Sequence, residues 1–130
     1  MAWGNFVLDS GFDGNGVLVT KFRVVKLTAA EQVGQATAIT DVAIGVAQFG
    51  ATVAEQAKDK GVAVRLMGVS ETEAAGAIAV GQQCTLETTG RVSALVGASG
   101  KRIVGICVGH PSTNAGDRIA MLFLPGLGLA

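Results

Sequence analysis

Two stretches near the middle of the chain alternate large apolar residues with small or polar ones. Residues 41–47 read Asp-Val-Ala-Ile-Gly-Val-Ala, and residues 61–67 read Gly-Val-Ala-Val-Arg-Leu-Met. A period of two predicts extended strands with the large side chains on one face. The side chains expected to share a face are Val42, Ile44 and Val46 in the first strand and Val62, Val64 and Leu66 in the second.

A similar pattern returns near the C-terminus. Val104-Gly105-Ile106-Cys107 resembles Ile44-Gly45-Val46-Ala47 sixty positions earlier, and the alternation of residues 119–123 matches that of residues 62–66 fifty-seven positions earlier. Only the connector between the two strands changes length. The pattern predicts a two-fold internal repeat of strand, loop and strand, with too few copies for a solenoid.

The stretch before the first strand of this repeat predicts further extended chain. In residues 17–27, Lys21 and Arg23 alternate with Phe22 and Val24, which is typical of a half-buried strand with one polar face. Residues 28–31 have the form of a capping box, but Gly34 follows closely, so we expect a turn between strands rather than a helix. Residues 36–40 are expected to be extended.

The connectors carry recognisable turn and helix signals. Residues 52–60 begin with a Thr-x-x-Glu box and end in lysines before Gly61, which predicts one short helix, with a long hairpin loop as the alternative. Gly90 suits the positive φ of a tight hairpin turn flanked by Leu86 and Val92. Pro125 is expected to end a strand over residues 118–124.

The N-terminal residues 1–17 place Trp3, Phe6 and Phe12 among glycines. Such spacing is not expected to form a regular element of its own, so the chain divides into an arm (1–17) and one β-domain (18–130). The arm either docks on a neighbour or folds under its own domain. Because aromatic side chains dominate interface energetics, we take Trp3, Phe6 and Phe12 as the candidate partner interface.

The charge content changes what surface we expect. Charged residues make up 15% of the chain, and ten basic and ten acidic side chains cancel, against about 25% charged in an average soluble domain. So few charges predict that part of the perimeter is covered by another protein; the alternative is a compact domain with an uncharged surface. Without a basic excess, nucleic-acid binding by bulk electrostatics is disfavoured.

The residues that carry enzyme chemistry do not come together in the sequence. His110 is the only histidine and precedes Pro111 in a polar loop, and no Cys-x-x-Cys or phosphate-binding glycine motif occurs. Cys84 and Cys107 lie on alternating runs and are expected to be buried free thiols, with a disulfide between them as the alternative. Glu71 and Glu73 are expected to be exposed on one strand face. The sequence predicts a protein that is not an enzyme, with no metal and no cofactor.

Taken in order, the motifs resemble the capsid cement, or head decoration, proteins of tailed bacteriophages. The resemblance covers roughly residues 20–125 and rests on the order of its motifs, with a Gly-Arg-Val turn between the two strand–loop–strand units. These motifs are residues 22–27 (Phe-Arg-Val-Val-Lys-Leu), 41–47, 61–68, 79–86 (Ala-Val-Gly-Gln-Gln-Cys-Thr-Leu), 90–92, 104–106 and 119–124.

The resemblance implies a small β-barrel or β-tulip domain with at most one or two short helices. It also implies a trimer that binds the outside of the expanded capsid shell and ties neighbouring major capsid subunits together. The expected location is the outer surface of the virion, after synthesis in the host cytoplasm, since the first residues lack a basic signal-peptide region. No nucleic-acid or membrane partner is expected.

Two rival functions stay open at this stage. A phage tail or baseplate structural protein fits low charge and a β-rich chain equally well. A small β-barrel binding module would need a polar-lined pocket with convergent aromatics. The absence of tyrosine and the presence of one tryptophan argue against carbohydrate stacking.

Overall fold

The structure is a computed structural model that describes residues 8–58 and 60–130. Strands dominate these residues, as the alternation predicts, and they form an antiparallel sheet that curls into a half-barrel. The predicted fold class is therefore confirmed. The elements are β1 (Leu8–Phe12), β2 (Val24–Ala29), β3 (Gln32–Gln35), β4 (Ala43–Phe49), α1 (Val53–Gln56), β5 (Val62–Glu73), β6 (Gln83–Leu86), β7 (Val92–Ala94), β8 (Ile103–Gly109) and β9 (Arg118–Phe123).

The strand order reveals two matching halves. Across the sheet it runs β3-β2-β4-β5-β9-β8-β6-β7, so β2–β5 and β6–β9 mirror each other about the β5–β9 contact. We name these halves the first unit (β2–β5) and the second unit (β6–β9). The long strand β5 joins them, because β4 and β1 pair with its first half and β9 pairs with residues 68–73.

The residue pairing confirms the predicted repeat and extends it. Val46 lies opposite Arg65, and their counterparts Ile106 and Leu122 lie opposite each other sixty and fifty-seven positions later. The repeat also includes the preceding hairpins, which the sequence pattern missed. There the offset is fifty-nine, since Leu27 pairs with Val33 as Leu86 pairs with Val92.

Both units place a glycine at the same crowded point. Gly45 and Gly105 are counterparts, and a Cβ atom on either would lie closer than 3.0 Å to a backbone carbonyl oxygen, of Arg65 or of Leu122. The strands β4 and β8 therefore approach their neighbours more closely than any residue with a side chain permits. Each unit also carries a register shift two positions further along, between Ala47 and Phe49 in β4 and at the corresponding place in β8.

The hairpin turns are counterparts too. Gly90 has φ of 77° between β6 and β7, which confirms the predicted turn, and Glu31 holds the same place between β2 and β3 with φ of 59°. The predicted turn at residues 28–31 is thus also confirmed. Glycine adopts a positive φ without steric cost, whereas a residue with a Cβ does so at some expense.

The apolar side chains form two separate clusters. The first cluster lies between the units and combines the second unit's inner residues, such as Cys107 and Met121, with Val24 and Val46 of the first unit. The second cluster lies on the other face of the first unit. Its buried members are Val19, Val25, Val33, Ala47, Ala51, Val62 and Val64.

The helix predicted over residues 52–60 is present but shorter. Thr52 and Glu55 form the expected capping box, each side chain accepting from the other's backbone N–H. The hydrogen bonds from Lys60 to Glu55 mark where the chain leaves the helix after α1.

Two predicted strands are partly wrong. Only residues from Val24 onward form β2, because Phe22 adopts φ of 64°, with its ring beneath the Arg118 guanidinium at 4.5 Å. Residues 36–40 are not a strand, because the Asp41 carboxylate accepts the backbone N–H groups of Thr37 and Ala38, both at 2.9 Å, and closes a turn.

The expectation that the N-terminal segment forms no regular element is wrong for residues 8–12. They form β1, because the free edge of β5 opposite β4 supplies backbone partners, with Ser10 opposite Val64 and Phe12 opposite Val62. Residues 1–7 lie outside the described residues. The division into an arm and a domain stays a prediction.

Candidate interaction surface

Most charged side chains of the described residues are engaged within the chain. The best-enclosed group joins the two units: Glu73 at the end of β5 accepts hydrogen bonds from Arg23, at 2.7 Å, and from Arg91. The expectation that Glu73 is an exposed carboxylate is therefore wrong, whereas Glu71 is exposed. The other ion pairs are Lys26–Asp41, Lys60–Glu55, Arg65–Asp9, Lys101–Glu87 and Arg118–Glu71.

The carboxylates of Glu87 and Asp41 are both stabilised in their ionised form by hydrogen-bond partners within the chain. Burial by itself raises the pKa of Glu87, but the hydrogen bonds from Lys101 and Ser93 outweigh it and hold the pKa below its usual value. Burial likewise opposes ionisation of Asp41, and the N–H groups of Ala38 and Thr37 together with Lys26 lower its pKa in spite of it. These groups serve the fold and leave little free charge for a partner.

Exposed apolar side chains line two grooves beside β2 of the first unit. Leu27 is 53% exposed and Val42 is 66% exposed, and with Ile44 they line an open groove of about 530 Å³. A second groove of about 410 Å³ lies alongside, lined by Val17 and Leu18 among others. Lys26 and Thr28 line both grooves, so the two are adjacent.

The rim of this surface is nearly neutral. Lys26 donates to Thr37 at 3.0 Å and pairs with Asp41 at 3.0 Å, so its charge is compensated at the groove edge. An open apolar groove with a compensated rim fits an apolar segment better than a charged ligand. We name Leu27, Val42 and Ile44 the open row of the first unit.

The sequence missed this surface for a specific reason. Val42 and Ile44 were expected to share a buried face with Val46, but the shift in register between β2 and β4 breaks the alternation. As a result Val46 packs in the first cluster, Ile44 packs at the margin of the second, and Val42 is exposed. No periodicity signal reports such a shift.

The structure describes one of the three predicted interface residues, Phe12. Phe12 is partly buried against the second cluster, so its ring contributes to the chain's own core. Trp3 and Phe6 lie outside the described residues, and their role as an interface stays a prediction. The described chain begins at Leu8, which is exposed opposite the equally exposed Met67.

The candidate chemical groups are positioned as structural residues. Cys84 and Cys107 are both buried and free, as predicted, and burial with the nearby Cys107 raises the pKa of Cys84 to about 12. His110 sits in a loop with φ of 48°. Within residues 8–58 and 60–130, no group of three or more potential ligands is placed to hold a metal ion.

No helix among the described residues has the length and apolar character to cross a membrane.

Comparison with known proteins gives a likeness in fold. No protein-family model matches the chain, and no curated protein sequence matches it. The structure is similar to the crystal structure of the N base of head fiber gp8.5 in bacteriophage phi29, with a TM-score of 0.63 and 14% sequence identity. The match covers 92% of this chain and 95% of that chain, so the two share their architecture from end to end.

Proposed function

We propose that this chain is a structural protein of a tailed-phage head that decorates the outside of the assembled shell and ties neighbouring major capsid subunits together. The observation that carries the proposal is the end-to-end fold likeness to a phage head fiber base at a TM-score of 0.63. The ordered motifs of residues 20–125, which resemble head decoration proteins, support the same role independently.

The surface supports a binding role rather than catalysis. Charged side chains are engaged within the chain, while apolar side chains such as Leu27 and Val42 are exposed on the first unit. Exposed apolar surface does not stabilise a monomer in water, whereas binding to a partner removes that surface from water and so favours the complex. A protein bound only to the assembled lattice stabilises the shell by linkage.

We further propose that the protein acts as a homotrimer. A trimer that engages several capsid subunits at once gains effective concentration without any additional contact, so weak individual contacts suffice. Light scattering on the purified chain measures the molar mass and therefore the number of chains in the oligomer.

Sedimentation with expanded empty heads of the phage that encodes the chain tests the function. We expect co-sedimentation that saturates at a fixed ratio to the capsid subunit, and no binding to unassembled subunits. Immunogold labelling of virions then locates the protein. Label on the tail or baseplate, with no binding to heads, would exclude decoration in favour of a tail structural role.

A further inference from the structure

The contact between the two units within the chain joins a face of the first unit to one end of the second unit. We name that face the joining face; its buried residues, on β2, on β4 and just after β3, are Val24, Ala36, Ala43 and Val46. They share the first cluster with Leu86, Val104 and Phe123, which lie where β6 and β9 end and β8 begins. At that end the Gly90 carbonyl accepts the backbone N–H of Val24 at 2.8 Å.

The corresponding end of the first unit is open. Leu27 is 53% exposed, whereas its counterpart Leu86 is 0% exposed. Ile44 and Leu66 are partly exposed, whereas the residues at their positions in the second unit are buried. The matched register of the two units defines these counterparts. The first unit therefore has a receiving end like that of the second unit, with its leucine in water.

The second unit carries a face that corresponds to the joining face. In the first unit the Val24 carbonyl accepts the Ala36 backbone N–H at 3.0 Å, and in the second the Gln83 carbonyl accepts the Leu95 N–H at 2.9 Å. The pairing of β2 with β4 and of β6 with β8 extends the match along the strands. The four counterparts, which we name the outer face, are Gln83, Leu95, Ile103 and Ile106.

The outer face is apolar and accessible. Leu95 and Ile103 stand where the joining face has alanines, and both are partly exposed, as is Ile106. The outer face therefore presents larger aliphatic side chains than the joining face does. It contains no charged residue, and neither does the open row, so apolar surface would meet apolar surface.

We infer that the outer face of one copy packs against the open row of a second copy, as the joining face packs against Leu86 within the chain. The inference rests on the self-association proposed above and names its contact. What supports it is the chain's own contact between units, which shows the kind of face that covers this kind of end.

The symmetry of the resulting oligomer follows from this contact. Two different surfaces meet, so the contact is head-to-tail and closes into a ring or continues as a filament. The proposed homotrimer would be such a ring, in which equivalent contacts alternate within and between chains. Each unit then contacts only its neighbours, as in other repeat proteins.

Single substitutions on the purified full-length chain test the contact by sedimentation equilibrium. Leu27→Glu and Ile106→Glu should each raise the concentration at which half of the chains are associated by about tenfold or more, because each buries an unpaired carboxylate. Gln83→Glu changes an exposed residue of the outer face and should act in the same direction without straining the fold. Val53→Glu, on a 59% exposed residue of α1, is the control and should leave association unchanged.

A mixture of two variants tests the head-to-tail arrangement. The Leu27→Glu chain keeps an intact outer face, and the Gln83→Glu or Ile106→Glu chain keeps an intact open row. Equal amounts of the two should therefore form a dimer of one copy each that grows no further. Neither variant alone should reach that mass at the same concentration.

Three outcomes would overturn the inference. A native chain that stays monomeric at every concentration would leave the open row to a partner other than a second copy. An oligomer unchanged by Leu27→Glu and Gln83→Glu, with the fold retained by circular dichroism, would place the contact elsewhere and leave the homotrimer standing. A mixture no heavier than its separate components would exclude a head-to-tail contact. These measurements use no phage heads, so their outcome is separate from that of the decoration assay.

Discussion

The second unit buries its apolar face against the first unit. The first unit buries the corresponding face against Phe12 of β1, Val19 and Ala51, which lie outside its own strands. The backbone pairing is the same in both, down to the glycines in β4 and β8. The side chains differ because the first unit is covered on both faces and the second unit on one. Val24 is buried in the first cluster, on the face of the first unit that packs against the second unit, while its counterpart Gln83 on the second unit faces solvent.

This comparison explains why the repeat is weak in sequence but strong in structure. Backbone register depends on a few positions where neighbouring chains approach closely, and those positions are retained as small residues. Side-chain identity depends on which element packs against each face, and different elements pack against the two units. The first unit therefore needs apolar residues on both faces, and the second on one.

The largest effect is expected at the paired glycines. Gly45→Ala and Gly105→Ala should each destabilise the fold by about 3 kcal/mol or more, because the added Cβ meets a backbone carbonyl oxygen that cannot move aside. Gly76→Ala is the matched control, since nothing lies within 4 Å of a Cβ there. Equilibrium urea unfolding measures all three. A small loss at one glycine and a large loss at the other would break the equivalence of the two units.

The sequence predicted what depends on local chemistry. The alternation in residues 62–66 and 119–123, the turn at Gly90 and the Thr52–Glu55 capping box each follow from neighbouring residues alone, and all are present. The offsets of sixty and fifty-seven residues also relate positions that hold equivalent places in the strand pairing of the two units, as Val46–Arg65 and Ile106–Leu122 show.

What the sequence could not supply depends on long-range contacts. Residues 8–12 become a strand only because β5 offers an edge, and Val42 is exposed only because the register of β2 and β4 shifts beside it. The open row was missed for the same reason, since it is recognised by comparing Leu27 with Leu86 in space. A periodicity count treats those two leucines alike.

A second prediction sharpens the difference in cover. Leu86→Ala should cost about 3 kcal/mol, as expected for a buried leucine whose removal leaves a cavity. Leu27→Ala, at the corresponding but open position, should cost less than about 1 kcal/mol. Both values come from the same urea titration, with the slope of unfolding checked for a common two-state transition. Equal losses would mean that Leu27 is covered as completely as Leu86, and the two faces would then not differ.

The smallest effect concerns the two hairpin turns, and it should have opposite signs in the two units. Glu31→Gly relieves a residue with a Cβ at φ of 59°, a conformation that costs roughly 1–2 kcal/mol for an L-residue. Glycine also gives the unfolded chain more freedom, which offsets about 0.4–1 kcal/mol of that gain. A net stabilisation of roughly 0.5 kcal/mol should remain.

Gly90→Ala at the matching turn should destabilise, because φ is 77° and a Cβ would press on the Gln35 side chain. Thermal unfolding resolves both signs. A loss of stability in Glu31→Gly would show that the Glu31 side chain contributes contacts that its counterpart position does not need, and the turns would then be alike in backbone only.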